Sequence, residues 1–308
     1  MEISDILLFR FLLFAQGLLH KPNSSFLKQV VFPNRSGILC LTITLKGKSM
    51  NFLKVAAAAV ILATGAAQAT AQSALAEILS EGVLKVGTTG DWNPMTMRNI
   101  ATNAYEGYDI DVMTTLAADL GVEVEFVPTD WKTLVAGVTS GQYHITGSAS
   151  VSPARAKAAG YSDSYFALVT VPLTLKENAG RFTDWDALNV AGVSVAATLG
   201  TTQETQVKQY FPNATHRIVE APARDFQEVL SGRADASITS NIEAATLVAQ
   251  YENLMIIPVE DGRSPTPVAM LLPQADQVWI NYVNTWIGLK KEQGFFDELS
   301  VKWGLNAE

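Results

Sequence analysis

An α/β fold built in two blocks is predicted by three observations. Strand and helix patterns alternate along residues 72–308, the alternation stops and resumes, and the composition suits a soluble core. Hydrophobic residues make up 48% of the 308 and charged residues 17%, which excludes a disordered chain; 21 Gly and 12 Pro exclude a collagen-like one. A single cysteine excludes a disulfide scaffold. More than 200 residues can bury a core without metal or disulfide staples, and are enough for two lobes.

The elements follow in order. Residues 83–87 read as a short apolar strand and 111–120 as a helix. Residues 122–127 read as a strand whose Val and Phe alternate with Glu, 131–140 as a helix, and 144–147 as another strand. The rhythm resumes with a strand at 193–197, a helix at 202–210, a strand at 217–219, a helix at 225–231, a strand at 236–238 and a helix at 243–249. Such alternation predicts parallel sheets, whose ligands sit at the carboxyl ends of the strands. Residues 165–178 separate the blocks, and 277–303 is helical in pattern with no strand left to pair beside it. The chain is therefore expected to return to the first block, giving lobe 1 from 72–167 and 265–308 and lobe 2 from 168–264. Two crossovers would then form a hinge.

Residues 50–71 read as a secretory signal peptide. Met50 to Lys54 supplies a basic start, residues 55–67 an apolar run, and Ala67-Gln68-Ala69 and Ala69-Thr70-Ala71 overlapping cleavage sites. The run is shorter than the ~20 residues of a bilayer span, and no basic stop signal follows it, so no membrane anchor is expected. A signal peptide belongs at the start of a chain, so residues 1–49 read as translation from an upstream start codon. Lys46-Gly47 back-translates to a purine-rich string at ribosome-binding distance from Met50.

Residues 1–71 hold seven of the 22 basic and two of the 30 acidic residues, which leaves 15 against 28 in the exported part. A formal charge of −13 argues against nucleic acid and anionic lipid as partners. Cys40 is removed with the same segment. Cysteine catalysis and an N-terminal lipid are thereby excluded, which predicts a freely soluble periplasmic protein.

Five stretches carry a family resemblance: Glu81 to Asp91 (EGVLKVGTTGD), Gly107 to Asp111 (GYDID), Gly121 to Trp131 (GVEVEFVPTDW), Ser150 to Arg155 (SVSPAR) and Gly200 to Glu204 (GTTQE). Together they resemble the periplasmic amino-acid-binding proteins of ABC importers, solute-binding family 3, across essentially the whole exported chain. The Thr88 to Asp91 and Val127 to Trp131 motifs look most like the cyclohexadienyl dehydratases, enzymes on the same fold that act on prephenate or arogenate. The resemblance implies a bilobed periplasmic-binding-protein type II fold, an importer permease as partner and no cofactor.

It also implies a site. Arg155 stands where the family places its carboxylate-binding Arg, and a planar guanidinium offers two parallel charge-assisted bonds to such a group. Read alone it would be a solvated helix-start residue. Ser148, Ser150 and Thr202 match the supporting donors, Thr202 from a helix start that favours an anion. Trp92 and Trp131 match ring positions that face ligand, although an aromatic at a strand end also suits a core. His144 and His216 have no metal-ligand or triad partner and read as structural; no metal site is expected.

Glu204 matches the acid carried by the dehydratases, where a dry cleft would raise a carboxyl pKa for protonation of the leaving hydroxyl. It also matches a Glu of many plain binders, where it favours a helix N-terminus. Ser240 occupies the position at which binders and dehydratases carry an Asp, so an α-ammonium loses its main anchor unless Asn241 substitutes. Thr201 stands where the dehydratases have Gly. The expected function is a receptor for a small carboxylate-bearing or amino-acid-like ligand, with a dehydratase as the alternative.

Overall fold

The computed structural model describes residues 28–34, 37–43 and 73–305. They fall in two compact units, Met1–Thr70 and Ala71–Glu308. In the first, β1 (Lys28–Asn34) and β2 (Gly37–Ile43) pair antiparallel, from Lys28 opposite Ile43 to Asn34 opposite Gly37. The predicted signal segment 50–71 and the rest of the upstream stretch 1–49 lie outside the described residues.

The second unit begins with α1 (Ala74–Glu81) and β3 (Val83–Thr88), the central strand of a parallel trio with β7 (Glu123–Pro128) and β8 (Ile145–Thr146). A ribbon of β4 (Asp91–Trp92), β5 (Thr96–Arg98) and β6 (Tyr105–Glu106) precedes α2 (Tyr108–Leu120), and α3 (Leu134–Thr139) joins β7 to β8. The ribbon strands are two or three residues long, too short to show a period in the sequence. Leu84 and Val86 of β3 and Val112, Met113 and Leu116 of α2 bury together because the inner strand face and the helix stripe are both apolar. Transferring a Leu or Met side chain from water into such a core is worth about 1.5–3 kcal/mol.

The same core takes in Trp279, Val283 and Trp286 of α8 (Gln277–Glu292) and Phe296 of α9 (Phe295–Lys302), so the end of the chain packs on the first block. Residues 277–303 are helical as expected, in two helices divided at Gly294, which stands between them at φ +73°, a conformation other residues rarely adopt. Asp276 ties both ends of this unit together. Its carboxylate accepts from Ala74 N at 2.6 Å and from Trp279 N at 3.0 Å, capping α1 and α8 at once.

The second block contains β12 (Ser194–Thr198) with β13 (Thr215–Val219) and β14 (Ala236–Ser240) parallel on its two sides, and helices α5 (Thr202–Tyr210), α6 (Asp225–Leu230) and α7 (Asn241–Gln250). Successive residues of β12 feed opposite faces. Val195 and Ala197 pack with Val207 and Phe211, while Ala196 packs with Val229 and Leu247.

To the expected parallel strands the structure adds two ten-residue strands, β11 (Phe166–Leu175) and β16 (Arg263–Leu272), which run antiparallel to each other. β11 pairs β16 at Phe166 opposite Val268, then moves on to β14 from Thr170 and to β15 (Leu254–Ile256) from Leu173. β16 pairs β9 (Ser148–Ser150) and β10 (Gly160–Tyr161). One mixed sheet thus runs continuously from first block to second. Residues 166–175, read as part of a separator, are a strand, and 263–272, to which no element was assigned, is another; Pro172 in β11 and Pro265 and Pro267 in β16 weaken the strand pattern, since proline cannot donate to a ladder. Among the described residues, no helix is long and apolar enough to cross a membrane.

Candidate functional site

The carboxyl ends of β12 and β14, with the starts of α5, α6 and α7, form one wall of a cleft. The opposite wall comes from the first block: Trp92 ends β4, Trp131 follows β7 and Ser150 ends β9. About 440 Å³ of non-protein space lies between them, part of it open to solvent. The Trp92 and Trp131 rings meet edge to face with centroids 5.7 Å apart. Trp131 precedes the helix it was expected to begin; α3 starts at Leu134. The walls touch directly, since Trp92 Nε1 donates to Ser240 Oγ at 3.4 Å and Lys132 pairs with Glu220 at 2.7 Å. A Cβ on Gly200, at φ +81°, would lie 2.4 Å from Lys132 N, so this approach requires glycine.

Arg155 sits in a short helix, α4 (Pro153–Ala156), fixed by Ser152 at the N-cap and Pro153 in the first turn. Its side chain is 8% exposed. Nη1 donates to Ser150 O at 3.2 Å and Nη2 to Gly200 O at 3.0 Å, so the residue bridges the two walls. These two bonds engage two of a guanidinium's five N–H groups. Among the described residues it makes no ion pair with a carboxylate, and burial pulls it below the ordinary arginine value. A desolvated cation without a counter-charge is costly, and an anion in the cleft would relieve that cost.

A second guanidinium has the opposite setting. Arg224 occupies the N-cap of α6, donating through Nη2 to both oxygens of Glu243 at 2.8 and 3.0 Å and through Nε to Thr198 Oγ1 at 3.2 Å. Nη1 donates to Asp91 O and lies 3.2 Å from Asp91 Oδ2, across the cleft. Burial lowers its pKa, but Glu243, Asp91 and Asp225 outweigh this and hold it above the ordinary arginine value. Burial pushes Glu243 up to about 7 and Asp225 upward as well, against the pull of Arg224.

Residues 84–306 match the profile of the bacterial extracellular solute-binding proteins, family 3. The chain belongs to this family. It is similar to the cyclohexadienyl dehydratase of Pseudomonas aeruginosa, 28% identical over 83% of this chain and 95% of that one. It is similar also to the L-cystine-binding protein TcyA of Bacillus subtilis, 27% identical over 74% and 83% of the two chains. Among solved structures it resembles the ancestral amino acid-binding protein AncCDT-1, a precursor of cyclohexadienyl dehydratase. The TM-score is 0.70 and the identity 36%, over 75% of this chain and 99% of that one.

Of the site residues expected from family 3, Trp92, Trp131, Ser150, Arg155, Thr202 and Ser240 line the cleft. Two do not. Glu204 points back to its own helix start: Oε2 accepts from Gly200 N at 3.0 Å, Oε1 holds Lys208 at 2.8 Å, and Thr201 Oγ1 accepts from Glu204 N. Burial acts to raise its pKa, but Lys208 and the Gly200 N–H outweigh it, so the carboxyl stays below its ordinary value. This is a capping arrangement, not a proton donor in a dry cleft. Ser148 is likewise spent, its Oγ donating to Asp109 Oδ1 at 2.5 Å and lying 2.7 Å from Tyr165 Oη, its N donating to Asp109 Oδ2 at 2.9 Å. Asn241 is exposed, with its amide oxygen accepting from Val169 N at 3.1 Å; Ser240 is the residue that faces the cleft. His144 Nδ1 accepts from Lys85 N, and His216 Nε2 meets Phe211 O. No cluster able to hold a metal occurs among the described residues.

Complete burial pushes Asp109 up to about 7, opposed by the bonds from Ser148. The folded protein therefore binds this proton more tightly than the unfolded chain does. The stabilisation it gives is present below pH 4 and declines as the pH rises towards 7, by about 4 kcal/mol at most. Asp109→Asn should accordingly flatten the fall of Tm between pH 5 and pH 8, read by calorimetry at both ends. A slope equal to that of the parent would show that Asp109 is ionised throughout.

Arg224, Glu243, Asp225 and Asp91 went unnoticed as a cluster in the sequence. One signal was available: an Arg at a helix N-terminus opposes the dipole and holds a position that favours Ser, Thr, Asp or Asn. Such a residue needs partners from elsewhere.

Proposed function

We propose that this chain is the solute receptor of an ABC importer, exported through residues 50–71 to the periplasm, and that it closes on a small molecule bearing a carboxylate. Lobe 1 (72–167 and 265–308) and lobe 2 (168–264) would hinge on β11 and β16. The observation that carries the reading is Arg155, a buried guanidinium that makes no ion pair among the described residues and lines the cleft between the two walls. A ligand carboxylate would take its unused N–H groups, with the N–H groups at the start of α5 and the hydroxyls of Ser150 and Thr202 beside it. The indoles of Trp92 and Trp131 would cover the rest of the ligand and exclude water. Relatives named as cystine-binding and amino-acid ABC transporter-binding proteins support the class of ligand and of partner.

A dehydratase on this fold would need a free proton donor in the cleft; Glu204 is held ionised outside it, and Glu243, though pushed up to about 7 by burial, has both oxygens engaged by Arg224. The exported chain incubated with prephenate at neutral pH is expected to leave it at its spontaneous rate of decay, and Glu204→Gln to change ligand affinity by less than about threefold. Formation of phenylpyruvate above background, lost in Glu204→Gln, would replace the receptor by the enzyme.

A further inference from the structure

The acidic half of the cleft carries its own cation. Asp91, Glu243 and Asp225 surround one place between the walls, and in an open cleft they would attract a ligand ammonium. Arg224 stands there instead. Oδ2 of Asp91 and both oxygens of Glu243 face its guanidinium, while the Trp131 indole donates to Asp91 Oδ1 at 3.1 Å and Thr239 donates to Glu243 Oε2. Asp225 accepts from Thr198 through Oδ1; its Oδ2 is buried beside the Ser237 hydroxyl and makes no hydrogen bond, and the residue lines the cleft next to Arg224. Ser240, at the family's Asp position, has its Oγ occupied as acceptor by Glu243 N at 3.2 Å and Trp92 Nε1 at 3.4 Å, which leaves its O–H to donate. An ammonium entering here would lose its water and meet a fixed positive charge that already pairs with Asp91 and Glu243.

We infer that Arg224 is a built-in counter-cation that makes the cleft select small organic acids lacking an α-ammonium over the corresponding amino acids. This rests on the carboxylate-receptor reading and adds the substrate class. Arg155 supplies the attraction shared by both kinds of acid, and Arg224 with Ser240 supplies the discrimination between them.

The test uses matched pairs that share a side chain: pyruvate and alanine, 4-methyl-2-oxopentanoate and leucine, phenylpyruvate and phenylalanine, 2-oxoglutarate and glutamate. Each is titrated calorimetrically into the exported wild-type chain. In every pair with measurable binding the oxo acid should bind at least about tenfold tighter. An amino acid that binds as tightly as its oxo partner, or more tightly, overturns the inference while leaving the receptor reading intact. Failure of all eight acids to bind overturns both. In Arg224→Gln the ratio should move towards the amino acid by about tenfold or more, and an unchanged ratio removes Arg224 from the selection. The wild-type comparison stands whether or not that variant folds.

Discussion

Arg155→Ala should abolish ligand-induced thermal stabilisation while leaving the ligand-free protein at least as stable as its parent. The two halves of this result have opposite signs for one reason. In the free protein the guanidinium is buried without a counter-charge, held only by the carbonyls of Ser150 and Gly200, so removing it relieves a desolvation cost. In the complex the same removal strands a buried ligand carboxylate, a loss of about 3–5 kcal/mol or at least ~100-fold in affinity. Calorimetry of the free protein, with titration of whichever acid binds the wild type, reads both halves. A free variant that melts well below the parent would make Arg155 a structural residue.

Arg224→Ala should do the reverse and destabilise the ligand-free protein by about 3–5 kcal/mol, because Glu243, Asp91 and Asp225 lose their shared cation. For a unit of this size that is a fall in Tm of roughly 6–20 °C. The loss should grow with pH. Without Arg224 the buried Glu243 and Asp225 carboxyls rise further above their unfolded values, so the folded variant holds protons that the unfolded chain has released, and its stability falls as the pH rises. Thermal unfolding at pH 5.5 and pH 8 should show the larger deficit at pH 8. Equal deficits at both pH values would mean that these carboxyls rise no further in the variant than in the parent.

These two arginines also mark how much the sequence disclosed. Helix 202–210 was legible to the residue, with Thr201 at its N-cap and Glu204 in its first turn. The strand 83–87 and the strand at 193–197 were legible from their short apolar stretches, and the two strands flanking 193–197 from the alternation with helices rather than from continuous apolar runs. The crossing strands were not, since Pro172, Pro265 and Pro267 interrupt them and the pairing that overrides proline lies almost a hundred residues away. In the cleft, Arg155 was found through a motif. Arg224 belongs to no motif, and its partners Asp91 and Glu243 lie 133 and 19 positions from it in the chain. For Glu204 the motif left two readings open, an acid in the cleft or a residue favouring the helix start, because its position on the helix is fixed by the motif while its direction is decided by Lys208 one turn on and by the Gly200 N–H.

The central claim, that the cleft closes on a carboxylate at Arg155, is tested most directly by a crystal structure of the exported chain with the tightest-binding acid of the titration series. The account predicts the carboxylate against the Arg155 guanidinium in two parallel N–H···O bonds, flanked by Ser150 and Thr202, with Arg224 still paired to Glu243. A ligand whose carboxylate lies elsewhere in the cleft, with Arg155 bonded only to the Ser150 and Gly200 carbonyls, would contradict it.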